Sequence, residues 1–273
     1  MRRIAGIERG PTEYRVAIAR TGLGRPRVEQ LVCVPADDPS GLAALTRGIT
    51  AVRLALPLHA VAHRILQVPF RRAAQIEATV PLELLSQLPS EPADGIVATR
   101  TLAREAAGST VLAAVARRAT LAAWSEPVQR AVGVPIEVDL GGPAIWAALS
   151  SPLDAGAIVV ADGSASYVSI RRAGRLVGLR AIDVAPEPID RFVTVVVDTL
   201  RALASERGPV LLTGADASAT ITDRLSTALG RPVAMLSTVA AALPAGSAEQ
   251  IDRCAGALGL LLANRTMRLT FPQ

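Results

Sequence analysis

One short unit is written twice in this sequence, about half a chain apart, and it restricts the possible folds more than any other feature. Ala155–Val184 reads AGAIVVADGSASYVSIRRAGRLVGLRAIDV. Ala157–Val160 is a short apolar run, Asp162-Gly163-Ser164 interrupts it, Tyr167–Ile170 alternates, Ala173-Gly174 turns the chain and Leu176–Ile182 returns. Strand, glycine turn, strand, glycine turn, strand is a β-meander. The N-terminus repeats the plan with Arg3–Ile7, a turn at Gly10-Pro11, Tyr14–Ala19, a turn at Thr21–Gly24, and Val28–Val34. Two copies of one supersecondary unit point to an internal duplication. Apolar runs this short and unbroken lie deep in sheets covered on both faces.

The rest of the chain reads as helices and strands arranged around these two units. Gly41–Arg47 is a short helix and Ala51–Leu56 a strand. Ala60–Val68 is a further strand, and Arg71–Leu85 is a helix with Ile76, Val80, Leu84 and Leu88 spaced by four along one face. Pro81 should kink or split that helix, and the run Leu88–Pro92 stops it. Gly95–Leu102 and Thr110–Val115 form a strand pair, Arg118–Val132 a helix and Ile136–Leu140 a strand. A helix starts at Pro143, where a missing N–H costs nothing. Later come a long helix over Pro188–Glu206, a strand over Pro209–Leu212, a helix over Ser218–Leu229, a strand over Pro232–Met235 and one helix over Glu249–Asn264. Arg268–Phe271 is an edge strand or simply the tail. The organisation is a first lobe over residues 1–150, holding an α+β insert at about 60–135, and a second lobe over 151–273.

Composition excludes several classes. Half of the residues are hydrophobic and only 3% aromatic, so Ala, Val, Leu and Ile must fill the core. All 29 basic residues are arginine, a bias that a genome rich in G and C produces. The net charge of +5 is scattered, with no basic block interleaved with aromatics, so no nucleic acid is expected as a partner. An acidic protein or anionic lipid suits a mild positive excess better. Cys33 and Cys254, distant in sequence and in apolar elements, read as structural thiols of a reducing compartment. Met1-Arg2-Arg3 leads into a strand rather than an apolar leader, and no apolar run approaches the roughly 18 residues that span a bilayer.

Four stretches together resemble the actin-like ATPase fold and, within it, the PilM and type II secretion protein L group. Ala5–Gly10 stands where those proteins usually have Gly-Ile-Asp-x-Gly. Arg64–Phe70 with Val80–Leu84 and Leu88-Pro89 is similar to the group's "lPf … fElE … lP" signature, the most specific of the four. Ala161–Ser164 is similar to the second phosphate hairpin, and Leu211–Ala215 to the Leu-Thr-Gly-Gly that precedes the adenosine-side helix. The resemblance spans essentially the whole chain. It implies an α/β protein of two RNase H-like (actin-like) lobes with an α+β insert in the first.

In that fold two glycine-containing hairpins wrap phosphates with backbone N–H groups, and hairpin aspartates hold a divalent cation. The residues carried over are Glu8, Gly10, Asp162, Gly163, Ser164 and Gly214. They are degraded. Glu8 replaces the first aspartate, Ala215 the second glycine, and counting back from Gly163 puts Ala161 in the second aspartate's place. Asp162 is then one residue out of register, and such a shift turns a side chain to the opposite face. No hydrolytic constellation and no cofactor is expected, although ATP with magnesium is what the family would bind. One helix between Asp190 and Pro209 leaves no room for the extra helical subdomain of polymerising relatives.

The resemblance implies a non-catalytic scaffold at the cytoplasmic face of the inner membrane. Its expected partners are the assembly ATPase, a bitopic membrane protein (PilN-like or the secretion protein M that accompanies protein L) and a second copy of itself in a homodimer. The chain stops about where protein L would run on toward its membrane helix, and the degraded motifs favour a protein-L-like chain. The alternative is a PilM-type nucleotide-binding ATPase or a sugar-kinase-like enzyme. A metal at His59 and His63 is disfavoured because that segment reads as extended. A hydrolase at Ser164 lacks its nucleophile elbow and a nearby base.

Overall fold

The structure, a computed structural model, describes residues 2–22, 26–89, 92, 94–203, 208–240 and 246–272. Three sequence readings lie partly outside these residues: the turn at Thr21–Gly24, the stop at Ser90-Glu91 and the end of the helix drawn to Glu206.

The first unit is β1 (Arg2–Arg9), β2 (Glu13–Thr21) and β3 (Arg27–Pro35), followed by α1 (Pro39–Leu45) and β4 (Ala51–Leu56). Asp38 caps α1, its carboxylate accepting from the Gly41 N–H at 2.8 Å, with Pro39 at the helix start. The insert then runs through β5 (Ala62–Val68), α2 (Ala73–Ser86), β6 (Gly95–Glu105), β7 (Gly108–Arg117) and α3 (Arg118–Val132). The chain rejoins the first lobe at β8 (Ile136–Leu140) and the short α4 (Gly141–Ala144). The second unit is β9 (Gly156–Val160), β10 (Tyr167–Arg172) and β11 (Arg175–Ala181). It continues through α5 (Ile189–Ala202), β12 (Val210–Thr213), α6 (Ala219–Leu229) and β13 (Val233–Met235). Helices α7 (Ala248–Arg253) and α8 (Ala255–Leu262) close the chain.

The duplication is visible in the sheets. The first has strand order β3-β2-β1-β4-β8 and the second β11-β10-β9-β12-β13, so each is an antiparallel meander continued by two parallel strands. The short apolar runs are buried throughout, at all five positions of β9 and all four of β12. Alternation divides β9 between two cores. Ala157, Val159 and Ala161 pack with α5 and α6, whereas Ile158 and Val160 join the larger core shared with the first lobe.

The insert is a three-stranded sheet, β5-β7-β6, with α2 on it. Ile76, Val80 and Leu84 are the buried stripe of α2, against Leu66, Val68, Val111 and Val115, as their spacing predicts. Pro81 does not split the helix. The carbonyl it deprives of a partner belongs to Glu77, an exposed residue, so water satisfies it.

The C-terminus departs from the expected single helix. The chain breaks at Cys254, and the break carries it from one lobe to the other. Helix α7 stays with the second lobe, whereas Ala255, Ala257, Leu258 and Leu261 of α8 belong to the core of the first. Gly6 of β1 permits this docking, since a Cβ there would lie 2.2 Å from the Ala257 carbonyl oxygen. The tail continues along β8, with Leu140 N–H donating to Leu269 O at 2.8 Å and Phe271 N–H to Val138 O at 2.9 Å. Residues 255–271, drawn with the second lobe from the sequence, therefore pack on the first. No helix among the described residues is long and apolar enough to cross a membrane.

Candidate functional site

Three polar residues meet on one face of the first hairpin for reasons of register. Glu8 and Arg15 are cross-strand partners in β1 and β2, and Glu13 lies two residues before Arg15. The connecting turn is closed by the Gly10 N–H donating to Glu13 O at 2.8 Å. Across from them the second lobe presents Asp162, just beyond β9. Its backbone N–H donates to Ser166 Oγ at 2.9 Å, and the next N–H, of Gly163, donates to Asp216 Oδ2 at 2.6 Å.

Arg15 joins the two lobes. Its side chain is 2% exposed. Nη1 and Nη2 donate to the two carboxylate oxygens of Asp162 at 2.6 and 2.7 Å, a bidentate pair across 147 residues of sequence. Its Nε donates to Glu13 Oε1 at 2.9 Å, and Glu8 Oε2 lies 3.8 Å from Nη1. Arg253, at the end of α7, forks onto Glu13 with two bonds of 2.8 Å. Two glycines make room. A Cβ on Gly10 would lie 2.6 Å from Arg15 Nη2, and one on Gly256 would lie 2.4 Å from Glu8 Oε2.

The titration of the acids follows from this placement. Burial pushes the Glu8 carboxyl up to about 7; Arg15 opposes the rise, and Asp162 and Glu13 add to it. Burial also acts to raise Glu13, but the hydrogen bonds from Arg253 and Arg15 outweigh it and hold Glu13 below its usual value. Burial would lower Arg15, yet its bond to Asp162 and the charge of Glu8 hold it well above the ordinary arginine value. Tyr167, buried beside the cluster with its hydroxyl unbonded, is raised by burial and by Glu8 and Asp162.

Of the residues singled out in the sequence, Glu8, Gly10 and Asp162 thus converge on Arg15. Gly163 lies beside them, and Ser164 is exposed on the turn above. Gly214 has φ of +113°, and a Cβ there would lie 2.2 Å from Ala161 O, so the backbone requires glycine at this position. The register expected for Asp162 is reversed. Positions 158, 160 and 162 share the face toward the first lobe, and Ala161 is the one turned away, into the second lobe's own core.

Arg15, Glu13 and Arg253 were not among the candidates. Nothing in one alternating strand marks one of 29 arginines as special. Cys33 and Cys254 also meet, with free thiols and sulfurs 4.0 Å apart, Cys33 being only half-buried. His63 Nε2 contacts Leu179 O at 3.0 Å, and no group of three or more metal-ligating side chains is found among the described residues.

Two lobes built on the same mixed five-stranded plan, facing one another across this cluster, with an insert in the first, define the actin-like ATPase fold. Among solved structures the chain is similar to a PilM–PilN type IV pilus biogenesis complex, with 18% identity, a TM-score of 0.71 and coverage of 95% of this chain and 97% of that one. It is also similar to the cytoplasmic domain of EpsL, an inner-membrane component of the type II secretion system of Vibrio cholerae, at 11% identity and a TM-score of 0.58, with 96% of each chain covered. A Bacteroides thetaiotaomicron protein of actin-like ATPase fold and unknown function matches at 12% identity and a TM-score of 0.58, again over 96% of each chain. No family model and no curated protein matches the sequence.

Glu8 sets a pH dependence. Between about pH 4.5, its ordinary value, and about pH 7 the folded protein holds a proton that the unfolded chain releases. Stability contributed by this group therefore falls as pH rises through that window. Glu8→Gln should match the wild type near pH 4.5 and exceed it at pH 8. Urea midpoints measured against pH check this, and an unchanged slope in the variant would show that Glu8 does not titrate there.

Proposed function

We propose that this chain is a non-catalytic platform of an inner-membrane assembly of the type II secretion or type IV pilus kind, which binds the assembly ATPase, the cytoplasmic tail of a bitopic partner, or both. The observation that carries the reading is the Arg15–Asp162 pair. The hairpin carboxylate that would serve a divalent cation gives both oxygens to a guanidinium of the facing lobe. The space over Gly10, where a hairpin backbone would approach phosphate, holds the same guanidinium. The N–H groups of Asp162 and Gly163 already have acceptors in Ser166 and Asp216. Positive charge, neutralising acids and hydrogen bonds are supplied from within, so these residues do not fit a magnesium nucleotide.

Similarity to the PilM–PilN complex and to a cytoplasmic domain of a secretion component supports a role in docking. The insert is the region for it. Where β6 and α3 meet β8, a groove of about 240 Å³ combines apolar residues (Ile96, Leu121, Ala122, Val138, Phe271) with Arg118, Ser125, Glu126 and Gln129 of α3. It suits an amphipathic segment of a partner's tail.

Calorimetry of the purified protein with ATP and magnesium is expected to give no binding heat. Micromolar binding would overturn the nucleotide-independent reading in favour of a PilM-type ATPase. Ala122→Glu, at the partly exposed rim of the groove, is expected to abolish co-purification with the bitopic partner while leaving the thermal midpoint within a few degrees of wild type (surface changes cost about 0.5 kcal/mol or less). Retained co-purification would place the contact elsewhere.

A further inference from the structure

A second feature built jointly by the lobes lies at the far end of β1. From Glu8 to Ile4 is four strand residues, roughly 13 Å. There a cavity of about 620 Å³ opens between the first lobe, the second lobe and the segment after α8. Its volume is in the range of small-molecule sites. Its walls are mainly apolar, with Ile4, Leu149, Pro152 and Leu262 among them. Trp146 is another lining residue. It is 2% exposed, and its indole N–H donates to Ser169 Oγ at 2.8 Å.

Among the described residues that line the cavity are two arginines, Arg53 and Arg171, and no acid. Arg171 of β10 lies over the Trp146 ring, 5.0 Å from its centroid. Its Nε is buried without a hydrogen-bond partner, and no carboxylate among the described residues pairs with it. The charge of Arg171 also bears on Arg100, from β6 of the insert. The Nε of Arg100 is likewise buried and unbonded, and its Nη1 has only the carbonyl of Met267, at 2.5 Å. Burial and the neighbouring Arg171 push Arg100 down to about 10. Arg53 lines the same cavity, but its Nη1 is held by the carbonyls of Leu260, Leu261 and Ala263.

Elsewhere this chain supplies acids to the guanidinium groups it buries. Arg15 has Asp162, Glu13 and Glu8, and Arg268 has Glu137 and Asp139. Leaving a desolvated guanidinium beside a like charge with no counter-ion is costly. Among the described residues neither Arg171 nor Arg100 has a carboxylate partner, and Arg171 lines the cavity.

We propose that this cavity binds a small organic anion, its carboxylate or phosphate group accepting from the Arg171 guanidinium and its apolar remainder lying against Ile4, Leu149, Pro152 and Leu262. Arg100 adds positive potential behind Arg171. The apolar walls favour an anion with a hydrophobic body over a bare inorganic ion, which would leave most of the volume to water. The Arg171–Trp146 stack holds the guanidinium plane in place, which lowers the cost of ordering it on binding.

The chain has two tryptophans, so a Trp124→Phe background leaves Trp146 as the sole reporter. Titration with phenyl phosphate and with benzoate should give a saturable change in Trp146 fluorescence for at least one of them. Arg171→Met should weaken that binding about tenfold or more, as loss of a hydrogen bond to a charged group does. Arg171→Lys, which keeps the charge but loses the planar fork and its stack on Trp146, should bind more weakly than wild type and more tightly than Arg171→Met. Arg171→Met strands no acid, and a retained circular dichroism spectrum would confirm its fold. Flotation with phosphatidylglycerol vesicles but not phosphatidylcholine, lost in Arg171→Met, would assign the anion to a lipid headgroup. A response confined to the soluble probes would assign it to a free ligand. No saturable response to any probe, or one unchanged in Arg171→Met, would overturn the proposal.

Discussion

A guanidinium buried between two lobes must be neutralised there, and much of this molecule is arranged to do so. Removing a charge from water costs several kcal/mol, about the size of a domain's whole stability. Arg15 meets that cost only because acids from both lobes reach it. Asp162 comes from the second lobe and Glu13 from the first, and Arg253 holds Glu13 in place. The pair is a poor source of net stability compared with apolar packing. Its consequence is geometric: a bidentate bond with both partners buried permits one relative position of the hairpins. A protein that opens and closes on a nucleotide would have to break it in each cycle.

The same constraint accounts for glycines packed around the cluster. Gly10 gives space to Arg15 and Gly256 gives space to Glu8. Gly214 is fixed by its backbone angle and by the Ala161 carbonyl. At Gly214 the backbone itself requires glycine, whereas at Gly10 and Gly256 a larger residue would displace the ends of Arg15 and Glu8. The chain has the architecture of the actin-like ATPases, with an internal salt bridge between the lobes at its polar centre.

The architecture was legible in the sequence because its signals are local. Short apolar runs punctuated by glycine gave both meanders, and the spacing of Ile76, Val80 and Leu84 gave the buried stripe of the insert helix. The centre was only half legible. Glu8, Gly10 and Asp162 were found through a resemblance, but Arg15 was not, since its role depends on a residue 147 positions away. Counting the register from Gly163 turns Asp162 away from the first lobe, contrary to the structure. Counted from Ile158 and Val160, which share the inter-lobe core, alternation puts Asp162 toward Arg15. The contact between Cys33 and Cys254 and the return of α8 to the first lobe are long-range facts of the same kind.

The claim that Arg15 and Asp162 act as one inter-lobe lock is tested most directly by a double-mutant cycle, with Arg15→Met, Asp162→Asn and the combined variant compared by denaturant unfolding. Each single variant strands a buried partner, whereas the double variant strands less. The account predicts a coupling energy of about 1–3 kcal/mol, as for groups in one buried network. Single effects that add to within about 0.5 kcal/mol, as for independent sites, would contradict it and return Asp162 to the pool of residues free to bind a ligand.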